Sequence, residues 1–250
     1  MYNQRMRNAR FYRIALAALM ALSASASAAP KIQATDGTFS FGKILQHAVL
    51  TRRFWLKSVG DQPARIVEVT PDCGCTELFF KDSLINPKDS VSLDVVLHTR
   101  SFIGFIEKRP LIRIADSNDT LRLKLYAEIL VKPENAKPLV LTPEKVDVSQ
   151  YSARPRRKGV FTITNNSMSD YQITVVDSSH KSFDIVLPKF IKALGKVEGQ
   201  VIVHKDAVPT SFEQSFTFEI NDDGRSRYSV PIWRLYQVKD APTPASPTGK

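Results

Sequence analysis

The only two thiols of this 250-residue chain stand one residue apart, as Cys73-Gly74-Cys75. Three chemistries are open to such a pair in an oxidising compartment: closure on itself, capture of a soft metal, or exchange as free thiols with a partner. An extended chain places residues i and i+2 about 6.6 Å apart, near the upper limit for a disulfide, so closure requires a bend. Gly74 permits that bend. A ring this small constrains the unfolded chain little. Zinc needs about four ligands, and the remaining candidates, His47, His98, His180 and His204, are scattered. Cu(I) accepts two thiolates. Asp72 and Glu77 flank the pair and would raise its thiol pKa values, with Lys81 too far along the chain to offset them fully. The order of expectation is a quiet structural pair first, Cys73 and Cys75 as copper ligands second, and redox exchange last.

A second candidate is the basic run Arg154, Arg156, Arg157 and Lys158. Arginines give bidentate contacts to phosphate, so this run could meet an anionic lipid or wall surface. The competing reading is a solvated loop that discourages edge pairing. There is no Gly-x-Ser-x-Gly, no His-Glu-x-x-His and no phosphate-cradling glycine loop, so no enzyme is expected. No cofactor is expected beyond the copper alternative.

The elements that must position these residues have a period of two. Alternation is strict in Val91–Val95 and Leu121–Leu125, and turn residues recur at Gly60–Pro63, Asn86–Asp89 and Asp116–Asp119. Short alternating strands with regular turns predict β-sandwiches. A second set, including 160–164, 171–175, 197–203, 216–220 and 228–233, repeats the layout. Phe54 corresponds to Phe161, Leu56 to Ile163 and Ile114 to Ile220, a near-constant offset that predicts two copies of one immunoglobulin-like domain. The expected fold is therefore all-β, with two tandem immunoglobulin-like sandwiches. The first spans 31–131 and the second 139–238. A linker at 132–138, marked by Pro133 and Pro138, joins them, and a proline-rich tail at 239–250 cannot bury enough surface to order.

Residues 1–28 carry Arg5, Arg7, Arg10 and Arg13 without an acid, then the apolar stretch Ile14–Leu22, then a small-residue run ending Ala26-Ser27-Ala28. That order is a secretory signal, expected to be cleaved after Ala28 and too short to span a bilayer comfortably. Cleavage leaves a periplasmic or secreted chain with no transmembrane span. Its net charge falls from +10 to +6, which is compatible with an anionic surface. No aromatic residues interleave with a basic stripe, so nucleic acid is not an expected partner.

The stretches Phe41–Ile44, Phe54–Asp61, Ile66–Val69, Asp72-Cys-Gly-Cys-Thr76 and Ile85–Pro87, with Thr99, Gly104, Lys108 and Ser117-Asn118, resemble one bacterial family. This is domain-of-unknown-function family 1573, an exported immunoglobulin-like module related to the ASH/Hydin type. The resemblance covers roughly 38–130, the first domain, and its most specific part is the Cys-Gly-Cys-Thr element. Ser58 stands where the family has Asn, Lys88 where it has Gly, and His47-Ala48 where it has a glycine-containing turn. The second copy has no cysteines after Val176. The resemblance implies fold and export but no reaction.

The expected function is that of an exported, non-catalytic binding or scaffold protein of the envelope, with a protein partner. Two alternatives stand beside it. One is a periplasmic pilus-type assembly chaperone whose strand Leu121, Leu123, Leu125 completes a partner's sheet. The other is a thiol or Cu(I)-binding protein acting through Cys73 and Cys75.

Overall fold

The computed structural model describes residues 29–117, 120–177 and 182–237. The leader at 1–28, the tail at 239–250 and His180 lie outside the described residues. Among the described residues, regular structure is all strand apart from one 3-10 turn, Pro133–Asn135, and no helix is long and apolar enough to cross a membrane.

The first half contains β1 (Ile32–Ala34), β2 (Thr38–Leu45), β3 (Val49–Ser58), β4 (Ala64–Thr70), β5 (Thr76–Phe80), β6 (Leu84–Ile85), β7 (Ser90–His98), β8 (Gly104–Lys108), β9 (Leu111–Ile114), β10 (Thr120–Arg122) and β11 (Lys124–Leu130). The second contains β12 (Leu139–Thr142), β13 (Val146–Asp147), β14 (Lys158–Asn165), β15 (Tyr171–Asp177), β16 (Phe183–Val186), β17 (Phe190–Ile191), β18 (Lys196–Val203), β19 (Phe212–Ile220) and β20 (Arg227–Arg234).

Alternation explains the layers. In β7 the side chains of Val91, Leu93, Val95 and Leu97 are buried while their neighbours face outward. They pair with β3, where Leu50, Phe54 and Leu56 point into the same core. Each fully buried Leu, Ile or Phe contributes about 1.5–3 kcal/mol relative to exposure. Two clusters result, one drawn from Ala34–Ile129 and one from Leu139–Ile232.

The two halves repeat each other strand by strand. The order β1-β3-β7-β5 recurs as β12-β14-β18-β16, and β10-β9-β4-β6 recurs as β20-β19-β15-β17. The register repeats as well. Ile66 pairs with Ile114, Ile173 pairs with Ile220, and in both pairs a bulge follows within the strand. The sequence offset between copies is thus carried into strand pairing.

Leu121–Leu125 is not one strand. It breaks at Leu123, so β10 pairs with β9 in one sheet while β11 crosses to lie between β2 and β8 in another. Leu123 and Leu125 are fully buried, while Leu121 is half-buried on β10, the end strand of its sheet. The alternating pattern reported burial correctly but could not report the change of sheet.

The largest sheet runs through both halves, in the order β17-β15-β19-β20-β2-β11-β8. At the seam β2 lies parallel to β20, with Lys43 opposite Tyr228. Ser229 Oγ donates to Phe41 O at 2.8 Å, and Arg227 Nη1 to Ser40 O at 3.4 Å. Gly42 makes the approach possible. Its φ is +67°, and a Cβ there would stand 2.1 Å from the carbonyl oxygen of Arg227. Beside the seam, Arg52 of β3 pairs with the buried carboxylate of Asp177 at 2.9 Å and lies over the Phe39 ring at 4.2 Å. Thr51 and Ser215 exchange hydrogen bonds between β3 and β19.

Candidate functional site

The cysteine pair sits in the loop from β4 to β5, at one end of the first sandwich. Cys73 and Cys75 are joined as a disulfide with a Cα–Cα distance of 5.2 Å, inside the usual range and shorter than an extended chain would give. Thr76 N donates to Cys73 O at 3.1 Å, closing the turn. His98 N, at the end of β7, donates to Cys75 O at 2.8 Å, which ties the pair to the central strand. The two sulfurs differ in setting. Cys75 is 2 % exposed and belongs to the core, whereas Cys73 is half-buried at its margin. Cys75 N approaches Cys73 Sγ at 3.2 Å, and Thr76 Oγ1 lies 3.6 Å from Cys73 Sγ and 3.8 Å from Cys75 Sγ.

Gly74 is exposed, its φ lies outside the left-handed region, and a Cβ built on it would meet nothing within 4 Å. Neither backbone geometry nor packing requires a glycine here. A disulfide closing so short a ring stabilises less than the ~3 kcal/mol of a 15-residue loop.

The charges around the pair differ from those expected along the sequence. Asp72 is engaged by the backbone N–H of Arg109 at 3.2 Å, and Glu77 pairs with His98 at 3.0 Å. The group that reaches the loop is Arg100, whose Nη2 donates to Gly74 O. Arg100 follows Thr99 in a tight turn at φ +46° and is distant in sequence, so only the fold brings it there. The acidic neighbours keep their charge but are partnered, and Arg100 adds a cation at the loop that the local sequence does not place there.

In the disulfide form the two sulfurs carry no thiolate for copper. Among the described residues no group of three or more His, Cys, Asp or Glu side chains could hold a metal. His204 lies elsewhere, paired with Asp184 at 2.9 Å, and His47 occupies a left-handed turn.

The basic run is partly occupied. Arg156 Nη2 donates to Asp147 O at 2.9 Å, and Arg157 Nε to Val203 O at 2.9 Å. Arg156 O in turn accepts from Arg234, a fully buried arginine that also bonds Val148 O, Val208 O and Gln150 Oε1. Burial pushes the Asp147 carboxyl up, but hydrogen bonding by the Ser149 side chain and its N–H, with the charge of Arg156, outweighs it and holds it below the usual range. Arg154 and Lys158 remain exposed, with Lys158 opening β14. The run therefore has two arginines committed to backbone carbonyls and two cations facing solvent.

A feature not singled out in the sequence is β8. It ends the largest sheet, so one of its edges has no strand partner among the described residues. Phe105 is 69 % exposed and Ile103 just before it 70 %. Phe105 stacks on Tyr126 of β11 at 5.6 Å, and Glu107 accepts from Tyr126 and Arg109, which fixes the strand in place. The Arg109 guanidinium holds the Glu107 carboxyl below the usual range. Gly104 opens the strand at φ +79°. Between β18 and β19 the second copy has only turns, so β8 has no counterpart there among the described residues. The available signal was the apolar run Phe102-Ile103-Gly104-Phe105-Ile106, too short and too continuous to read as an alternating strand.

Residues 32–129 match the family described as "Protein of unknown function (DUF1573)". No curated protein matches the chain. The solved structures similar to it include the following three. A protein of unknown function from Porphyromonas gingivalis is 9% identical over 81% of this chain and 98% of its own, with a TM-score of 0.33. The ASH/PapD-like domain of human CEP192 is 8% identical over 44% of this chain and 92% of its own, with a TM-score of 0.33. The Pseudomonas aeruginosa CupB2 chaperone is 10% identical over 80% of this chain and 98% of its own, with a TM-score of 0.28.

Proposed function

We propose that this chain, whose first domain matches the DUF1573 family, is an exported, non-catalytic binding protein of the cell envelope that holds a partner protein along the β8 edge. The observation that carries the reading is the edge itself: a fixed strand at the end of a sheet, with Ile103 and Phe105 in solvent. Unpaired strand edges template pairing with another chain, and soluble proteins usually blunt them with charge, proline or cover. Here the exposed apolar residues would give side-chain specificity to main-chain pairing. Export rests on the basic, apolar, small-residue order of residues 1–28. On this reading the strand offered to a partner is β8, so a role in assembly would run through the first domain's added edge.

A photo-crosslinking side chain at position 105, introduced in cells that export the protein, tests this. A discrete cross-linked polypeptide is expected, and Ile103→Asp should abolish it. The same substitution at Val186, on the outer edge of the second domain, is the control. Cross-links from position 105 that survive Ile103→Asp, or that match those from 186, would remove the β8 reading.

A further inference from the structure

We propose that the Cys73–Cys75 disulfide is a reversible covalent attachment site for a cysteine thiol of an exported partner protein, with Cys73 the sulfur attacked and Cys75 the sulfur that leaves and later re-closes the ring. This goes beyond edge binding and stands on different residues.

Four observations carry it. The two sulfurs are unequal in access, Cys73 lying at the core margin and Cys75 2 % exposed. Thiol–disulfide exchange depends on which sulfur an incoming thiolate can reach. Gly74 between the two cysteines is exposed, and a side chain there would meet nothing within 4 Å beyond its two chain neighbours. The Arg100 guanidinium is fixed on the carbonyl of Gly74, between the two cysteines, while Asp72 and Glu77 are held by Arg109 N and His98. A cation beside the loop draws an attacking thiolate and supports the one that departs. The ring of a pair two residues apart adds little to stability, so it gives the fold little reason to keep it closed.

The step is balanced without a further oxidant. The partner thiol loses its proton to solvent, and its thiolate attacks Cys73 Sγ. The Cys73–Cys75 bond breaks, its electron pair passes to Cys75 Sγ, and that thiolate takes a proton from water. One disulfide is lost and one formed. The reverse attack by Cys75, held in place by its burial and by the hydrogen bond from His98 N to Cys75 O, frees the partner. Cys75 thus sets the lifetime of the attachment, and no turnover is implied.

Reduced glutathione is the probe, applied to the mature wild-type protein, with alkylation quench and peptide mass spectrometry. The expected product carries glutathione on Cys73 and the alkylating group on Cys75. In a second arm, Cys75→Ser should accumulate the Cys73 adduct from oxidised glutathione roughly tenfold faster than Cys73→Ser accumulates one on Cys75. Gly74→Leu, which the open surroundings accommodate, should slow the wild-type reaction. A disulfide that persists unmodified through millimolar glutathione, or an adduct on Cys75, overturns the proposal. The wild-type arm needs no variant to fold. Ile103→Asp should react with glutathione as the wild type does, so loss of edge binding and loss of exchange are read separately.

Discussion

His47 and Lys88 occupy left-handed backbone, at φ 58° and 70°, where glycine is the unstrained residue. A non-glycine residue there costs roughly 1–2 kcal/mol. Lys88 is exposed in the turn between β6 and β7, with nothing else depending on its side chain. Lys88→Gly should therefore raise stability by about 1 kcal/mol, less the extra entropy of glycine in the unfolded chain. Denaturant melts of the two proteins check this, and a midpoint that falls would contradict it. Glu219 makes a different prediction. Burial pushes its carboxyl up, but hydrogen bonds and charge from Arg227 and Arg225 prevail, leaving it below the usual value of 4.5. A depressed folded-state pKa stabilises above the unfolded pKa and is lost as pH falls through the folded one. Glu219→Gln should therefore narrow the stability gap to wild type as pH drops below about 4.5. Melting temperatures measured in parallel across that range provide the check.

At the scale of strands, what the sequence disclosed follows from what alternation encodes. Val91–Val95 foretells β7 because one face is core and the other solvent along its whole length. The pairs Phe54/Phe161 and Ile114/Ile220 foretell the repeat because the same sheet positions are filled in both copies. The break at Leu123 was hidden, since a strand that changes sheet while staying buried keeps its period. The cysteine loop could be placed after β4, but Arg100 reaches Gly74 across 26 residues, and no local pattern predicts such a contact. The β8 edge stayed hidden for the opposite reason: two exposed apolar side chains look like core in a linear reading. The seam residue Gly42 reads as an ordinary strand glycine until β20 is laid against it.

For the molecule as a whole, that seam decides whether the two copies behave as two domains or one body. The linker turn Pro133–Asn135 is short, and the contacts beside it are specific: Gly42 against Arg227 O, Ser229 to Phe41 O, and Arg52 to the buried Asp177. Breaking a buried ion pair by removing one partner typically costs 3–5 kcal/mol, because the other charge is left stranded. We expect one cooperative thermal transition for the mature chain. Gly42→Ala, whose Cβ would collide with the Arg227 carbonyl, should split it into two or lower it by several degrees. Calorimetry distinguishes the outcomes, and a single transition unchanged in Gly42→Ala would mean that the halves fold without reference to the seam.

The seam also joins residues made at very different times. Ser40 and its partner Arg227 are separated by 187 positions, and Phe41 and Ser229 by 188. At roughly 5–20 residues per second of synthesis, β20 emerges about 10–40 s after β2. Once β11 is made the first half can form its core but still lacks its final neighbour, and the edge of β2 faces whatever is nearby. Copies emerging close together could then lend each other their late strands, since an identical β20 fits either β2. The junction is in this sense a delayed one, and crowding during export is the condition under which it would close between two chains instead of within one.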